Sequence, residues 1–261
     1  MKFTLGNWNG RIAAGVIAAV IALTPVALAG STNNGPDAKI QADVSKALDK
    51  AQFKDVTATV DSGVVKLTGT VATYADKEEA DRRVHRRKNV SAVENDIRVA
   101  CARVDDTTLR NQLAGKLQYD RVGYGTTPFN SLTIAVQNGV VTLGGTTYGP
   151  VDKDSAVSLV EHYPGVKDVV DNITVAPLSP NDDRIRIAEF RSIYGFPTLN
   201  KYAMDPGKPI RITVVNGNVT LTGVVDSEAD KDAANIRANG VAGVFRVTNL
   251  LQVANPVVGQ R

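Results

Sequence analysis

The chain has 261 residues, of which 43% are hydrophobic and 22% are charged. This is an ordinary globular composition, too apolar for a chain that is disordered throughout. The formal charge is +3, but Lys2 and Arg11 lie in the first 29 residues, which contain no acid, so the remainder carries +1. A chain this close to neutral has no general attraction for nucleic acid, and we expect no nucleic-acid partner.

The first 29 residues have the pattern of a secretory signal peptide. Lys2 and Arg11 precede an apolar run over residues 12–23, Pro25 interrupts it, and Ala27 and Ala29 occupy the −3 and −1 positions of a cleavage site. We predict cleavage after Ala29 and a protein that is periplasmic or secreted. The alternative is an uncleaved membrane anchor, because residues 12–29 are just long enough to span a bilayer. A disordered spacer is predicted over 30–36.

An internal repeat organises the rest of the chain. Asn-Gly or Ser-Gly pairs end at Gly63, Gly139 and Gly217, each followed by a Val-x-Leu-x-Gly pattern, so the repeat spacing is 76 and then 78 residues. The same offsets align Asp76 with its later counterparts and the final apolar residues of each copy without gaps. We therefore predict three tandem modules, at 37–100, 105–176 and 181–254, and a loose tail at 255–261.

Each module is predicted to contain a tight hairpin and two helices. In the first copy, apolar residues alternate with polar ones on both sides of Ser62-Gly63, which indicates a β-hairpin with a primed turn. The helix after the hairpin has one inward stripe at the helical spacing, which in the first copy consists of Ala80, Val84 and Arg87. A further helix precedes each hairpin. Its predicted inward residues are Ile40, Val44, Ala47 and Leu48, then Leu109, Leu113 and Leu117, then Ile187, Phe190 and Ile193 or Tyr194.

The fold class is therefore α+β. Each module is read as α-β-β-α-β, a three-stranded mixed sheet with two helices on one face. Gly69, Gly145 and Gly223 are predicted to let a helix approach the sheet closely. For Asn95, Asp171 and Asn249 we favour hydrogen bonding to the backbone over a ligand role. A unit of this size buries only about 60% of its unfolded surface, so a neighbouring module or the helix-free sheet face must contribute.

The repeated pattern resembles the BON domain family. The resemblance lies in the glycine turn, the Val-x-Leu-x-Gly strand, the helix, and a closing Val-x-Gly-Val-x-x-Val-x-Asn-x-Leu-x-Val pattern. The third copy carries that closing pattern most fully, from Val241 to Val253. The first copy departs from it with Arg87 and Asn89, and the second with Tyr163 and Asp171. The resemblance implies a periplasmic or envelope protein, similar to osmotically inducible periplasmic proteins, that binds phospholipid membranes and supports envelope integrity. It supplies no catalytic residues.

The clearest charged feature is a basic run at the end of the second helix of module 1. A solvated face is the favoured interpretation, because Glu78–Arg82 and Glu79–Arg83 have the favourable i,i+4 order and cations complement a helix C-terminus. The functional alternative is an anionic-lipid patch, whose members are Arg82, Arg83, Arg86, Arg87 and Lys88.

An aromatic segment precedes the third hairpin. Burial in the core is the favoured interpretation of its aromatic residues, and the alternative is a partner or membrane patch formed by Tyr194, Phe196 and Tyr202. Pro177 and Pro180 stiffen the preceding linker, which favours modules arranged like beads.

No residue pattern indicates an active site. His85 and His162 occupy non-equivalent positions without metal-ligand spacing, so surface roles are expected, and no cofactor or metal is predicted. Cys101 is the single cysteine. We favour an inert thiol over an intermolecular bridge or a reactive centre, since no catalytic cysteine signature surrounds it.

The functional hypothesis is a non-enzymatic envelope protein whose modules associate with anionic phospholipid surfaces. The alternative is a protein-interaction or chaperone-like scaffold whose partners are other envelope proteins. The oligomeric state is not indicated by the sequence.

Overall fold

A computed structural model describes residues 35–100 and 104–254. The predicted signal peptide, most of the predicted spacer, Cys101 and the tail lie outside these residues. Within the described residues, no helix combines the length and the apolarity that crossing a membrane requires.

Module 1 has the predicted order of elements. Its elements are α1 (Pro36–Ala47), a 3₁₀ turn (Ala51–Phe53), β1 (Val56–Asp61), β2 (Val64–Val71), α2 (Tyr74–His85), β3 (Ala92–Asn95) and β4 (Arg98–Val99). The central strand β2 pairs antiparallel with β1 and parallel with β3 and β4. The helix α1 begins at Pro36, whose missing N–H costs nothing at the first helical position.

Module 2 repeats this arrangement with a continuous last strand. Its elements are α3 (Asp106–Gln118), a 3₁₀ turn (Thr127–Phe129), β5 (Ser131–Gln137), β6 (Val140–Thr147), α4 (Pro150–Glu161) and β7 (Asp168–Val175). The strand β6 lies between β5, antiparallel, and β7, parallel.

Module 3 has an additional short helix before its hairpin. Its elements are α5 (Pro180–Tyr194), α6 (Lys201–Met204), β8 (Arg211–Val215), β9 (Asn218–Thr222), β10 (Val224–Val225), α7 (Glu228–Asn239), β11 (Arg246–Asn249) and β12 (Gln252–Val253). The strand β9 lies between β8 and β11, and β10 pairs with β12. The predicted α+β class, with mixed sheets in repeated modules, is confirmed.

The hairpin turns have the predicted primed geometry. Both turn residues have positive φ in each module, with Ser62 at 51° and Gly63 at 79° in the first. The equivalent of the family-pattern glycine, Asn89, also has a positive φ of 64°, like Gly165 and Gly243. Asparagine tolerates this left-handed conformation better than most residues, so the first module's departure from the pattern preserves the backbone.

The expected role of the strand glycines was wrong. Gly69 has a φ of 113°, and a Cβ there would lie 2.0 Å from the carbonyl oxygen of Asp55, just before β1. Gly145 repeats this against Ser131. The close approach is therefore between the two strands of the hairpin, at a kink in the second strand, and not between a helix and the sheet.

The first helix of each module holds the hairpin turn through a carboxylate. Asp37 accepts hydrogen bonds from the backbone N–H groups of Ser62 and Gly63, at 2.8 and 3.0 Å. Asp106 and Asp182 make the same pair of contacts in modules 2 and 3. These contacts fix the register between the helix and the hairpin in all three copies.

The modules dock onto one another, so the expectation of beads on a stiff linker was wrong. Tyr74 of module 1 packs against the core of module 2, and Phe129 of module 2 packs against the core of module 3. Each junction therefore places one aromatic side chain of a module on the core of the next.

Candidate functional site

The basic run lies where the sequence places it, at the C-terminal end of α2. Thr73 caps the helix start, and its hydroxyl and the Asp76 carboxylate form a reciprocal capping box. The helix ends at His85, so Arg86, Arg87 and Lys88 follow its last turn, where cations complement the helix dipole.

Two of the five arginine and lysine side chains are held by neighbours within the module. Arg83 pairs with Glu79, as predicted, and its guanidinium lies 5.8 Å from the ring centroid of Phe53. Arg87 donates to the carbonyl oxygen of Arg83 at 3.0 Å. Arg86 and Lys88 are exposed and form no ion pair among the described residues.

Arg82 forms no ion pair with its predicted partner Glu78, and its charge acts on a carboxyl group of the second module. Burial raises the pKa of Glu161, at the end of α4, and the positive charge of Arg82 opposes part of that rise. The same junction desolvates Tyr74, whose pKa is raised well above its usual range, with Glu78 and Asp168 adding to the effect. The charge of Arg82 is thus felt at the junction between modules 1 and 2.

Two lysines that the sequence analysis did not include extend this basic surface. Lys50 and Lys54 flank the 3₁₀ turn that carries Phe53, and both are exposed. Because Arg83 lies over the Phe53 ring, the turn and the end of α2 belong to one side of module 1. These lysines are distant from the basic run in sequence, and only the recurrence of the turn before the first two hairpins could have indicated that they lie near it. We call the seven residues 50, 54, 82, 83 and 86–88 the basic surface.

Tyr194 and Tyr202 do not form an exposed aromatic patch. They are 4% and 3% exposed and belong to the core of module 3. The Tyr194 hydroxyl donates to the carbonyl oxygen of Ile210, and the Tyr202 hydroxyl donates to the carboxylate of Asp230. Phe196 is half-buried against the same core, with the guanidinium of Arg237 5.5 Å from its ring centroid. These residues are therefore part of the core of module 3 or packed against it, and they do not form a partner or membrane patch.

Glu189 is a buried group that the sequence analysis missed. It is 0% exposed, and neither carboxylate oxygen has a hydrogen-bond partner among the described residues. This burial raises the pKa of Glu189 to about 8. The inward residues of α5 are Ile185, Arg186, Glu189 and Ile193, whereas the predicted Ile187 and Phe190 are exposed by 49% and 37%. Aligning Asp182 with Asp106 would have placed Glu189 at the position of Leu113.

The histidines and the strand asparagines make local contacts. His85 lies 3.6 Å from Asp81, and His162 contacts the carbonyl oxygen of Ser158. Asn95 and Asn249 bond backbone groups of the adjacent helix and strand, as predicted. In module 2, Asp171 also accepts a backbone hydrogen bond, from the N–H of Ile173 at 2.9 Å, as predicted, and it pairs in addition with Lys153 at 2.9 Å. Among the residues that the structure describes, no cluster of His, Cys, Asp and Glu could hold a metal ion.

These features define a protein of three small α+β modules that present charged and apolar surfaces. Models of the BON domain match residues 36–101, 105–177 and 198–255, and the chain belongs to the BON domain family. The third match begins after α5, the helix in which Glu189 replaces a core aliphatic residue.

A relative and two solved structures resemble the chain. It is 28% identical over 147 residues to Osmotically-inducible protein Y of Escherichia coli strain K12, covering 52% of this chain and 71% of that protein. The structures are CdsD, a structural protein of the Type III secretion system of Chlamydia trachomatis, and its C-terminal domain. Both are 17% identical with a TM-score of 0.22, and the match covers 82% of this chain and 92% and 96% of those chains. A likeness this low supports no inference about function.

Proposed function

We propose that this chain is a non-catalytic, stress-related protein of the periplasm that attaches to anionic phospholipid through the basic surface of module 1. Three features support a stress-related role in the periplasm: the signal-peptide pattern of residues 1–29, membership of the BON domain family, and the relative named for its osmotic induction. The local bonding of His85 and His162 favours a non-catalytic role.

The observation that carries the lipid proposal is the exposure of Arg86 and Lys88 beside a helix end, without an ion pair among the described residues. Each basic side chain near an anionic bilayer contributes about 1 kcal/mol. Arg86, Arg87 and Lys88 together therefore contribute about 3 kcal/mol, enough for weak attachment that salt weakens.

The test is co-sedimentation with phosphatidylglycerol vesicles. Changing Arg86, Arg87 and Lys88 together to Gln should lower vesicle affinity by about two orders of magnitude, since ~1.4 kcal/mol is tenfold. Folding should persist, because the three residues follow the end of α2 and none of their side chains belongs to the core of module 1. Wild-type binding should fall as the Debye length shrinks to about 8 Å at physiological salt.

A matched variant distinguishes binding through the basic surface from a general effect of net charge on vesicle affinity. Lys116→Gln, Arg191→Gln and Arg246→Gln together remove three exposed positive charges from modules 2 and 3. This control should keep most of the wild-type affinity. Equal losses in both variants, or binding that survives the first variant and high salt, would exclude the basic surface as the lipid site.

A further inference from the structure

Modules 2 and 3 meet through the edge strands β5 and β8, the end of the central strand β9, and the segment that precedes β5. The Ser131 and Thr222 hydroxyls are 2.8 Å apart across this junction, and Arg211 donates to the carbonyl oxygen of Thr127. Each module therefore presents the same part of its fold to the other: the groove between its first helix and its edge strand.

The repeat makes the two sides of the junction comparable residue by residue. The turn-holding carboxylates align α3 with α5 at an offset of 76 residues (106 to 182), and the hairpins align at 78 (139 to 217). Ala114 then corresponds to Phe190 and Gln118 to Tyr194. On the opposing module, Gly207 corresponds to Phe129 and Asp226 to Tyr148.

The groove of module 3 is filled by aromatic rings. Phe190 of α5 lies 4.9 Å from Tyr194 and 6.3 Å from Phe129 of module 2, between ring centroids. Phe129 in turn lies 5.8 Å from Tyr148, and the guanidinium of Arg186 lies 5.2 Å from the Tyr148 centroid. A segment of module 2 thus closes the groove of module 3.

The corresponding groove of module 2 is open. It has a volume of about 870 Å³, within the usual range of ligand sites, about 300–1,000 Å³. Ala114, Gln118, Gly207 and Asp226 all line it. Every aromatic residue of the filled groove is therefore replaced by a smaller or polar residue in the open one, which explains the cavity.

We propose that the open groove of module 2 binds an extended segment of a partner protein through aromatic side chains. The groove is lined by the apolar side chains of Leu117, Leu132 and Ile134, which can contact the aromatic rings of the partner. Tyr119 also lines the groove and is 58% exposed. A peptide is the favoured occupant because a peptide segment of this chain, the 3₁₀ turn Thr127–Phe129, occupies the filled groove and is held there by a bond to its backbone carbonyl.

Arg110 supplies the polar contact that an extended segment needs. It occupies the position of Arg186, which is buried and donates to the carbonyl oxygen of Val214 in β8. Arg110 is exposed, lines the open groove, and bonds only its neighbour Asn111 among the described residues. This site lies in another module than the basic surface, so the proposal does not depend on lipid attachment.

The probe is a fluorescein-labelled peptide, GSFSFSG, whose two Phe side chains share one face of an extended chain. Fluorescence anisotropy with the full chain should show saturable binding, at least tenfold weaker for the peptide GSASASG. Ala114→Phe should weaken GSFSFSG binding at least tenfold, because the new ring restores the filled state. Gly207→Phe, at a backbone position without positive φ, should do the same from the opposite wall.

The matched control is Ser45→Phe, at the position of module 1 that corresponds to Ala114. It should leave binding unchanged, and circular dichroism should show folded protein for each variant. Absence of wild-type binding, equal binding of both peptides, or binding that survives both groove substitutions would overturn the proposal. A loss in Ser45→Phe would place the site elsewhere. Sedimentation of the wild type as a dimer that Ala114→Phe dissociates would assign the groove to a second copy instead.

Discussion

Glu189 is a carboxyl group in the core of module 3, and its two oxygens accept no hydrogen bond from the part of the chain that the structure describes. Its helical neighbour Arg186 is committed to Asp183 and to the carbonyl oxygen of Val214. An unpaired carboxylate in an apolar core costs so much that the group takes up a proton instead, and burial accordingly raises the pKa of Glu189 to about 8. At neutral pH the core therefore contains a neutral carboxylic acid.

This proton makes stability depend on pH. The folded-state pKa lies above the ordinary value of 4.5, so between these values unfolding releases a proton, and stability falls as pH rises. We expect a decrease on the order of 1 kcal/mol per pH unit between pH 5 and 8. In urea unfolding at a series of pH values, Glu189→Gln should remove most of this slope, whereas exposed Asp232→Asn should keep it. A slope that persists in Glu189→Gln would show that other groups cause it.

At the scale of elements, the contact between the first helix and the hairpin turn organises each module. A turn with two positive-φ residues leaves consecutive N–H groups pointing the same way, and one carboxylate accepts both. The three carboxylates differ in burial: Asp182 is 1% exposed, whereas Asp37 and Asp106 are half-buried. The same contact should therefore contribute most in module 3, where water cannot replace it.

Removing the carboxylate in each module tests whether its contribution to stability is largest in module 3. Asp182→Ala leaves two N–H groups near the core without an acceptor and should lower the unfolding free energy by about 2–3 kcal/mol, the range of hydrogen bonds to charged groups. Asp106→Ala should lower it by about 1 kcal/mol, since water reaches the turn. The measurement is the shift of the urea midpoint for each variant. Equal shifts of the urea midpoint in the two variants would show that burial of the carboxylate does not strengthen its contact with the turn.

Local pattern predicts most of each module and fails where polar residues point inward. Alternation around Ser62-Gly63 and the helical spacing of Ala80 and Val84 identify the hairpin and α2. In α5, Arg186 and Glu189 lie on the buried face, so the apolar pattern selects Ile187 and Phe190 and rotates the helix. Hydrophobic periodicity does not detect inward charges, whereas the repeated Asp37, Asp106 and Asp182 give the register directly.

At the scale of the whole molecule, the contacts between modules are what the sequence predicts least. The prolines of the linker between modules 2 and 3 favour separate beads, yet Phe129 reaches the core of module 3. Its equivalent in module 1, Phe53, is 2% exposed and belongs to the core of its own module. Identical residues at equivalent positions thus serve different modules, and no local pattern distinguishes them. The sequence predicts five of the seven residues of the basic surface. It does not predict Lys50 and Lys54, because only the folded structure brings these two near the end of α2.

This difference predicts where two matched substitutions will act. Core Phe→Ala changes cost about 3–5 kcal/mol, so the half-buried Phe129 should contribute about 2 kcal/mol. Phe129→Ala should weaken module 3, because its ring contacts Phe190 and the module 3 core. Amide hydrogen exchange, read by mass spectrometry on peptides from α5 and β8, should show the opening free energy fall by about this amount.

Phe53→Ala is the control, since it removes the equivalent ring from module 1. It should increase exchange in α1, β1 and α2 and leave α5 and β8 at wild-type protection. Because hydrogen exchange reports each segment separately, the two variants should give opposite patterns along the same chain. If Phe129→Ala increased exchange only in α3, β5 and β6, the ring would stabilise its own module, and the docking of module 2 onto module 3 would contribute nothing measurable to stability.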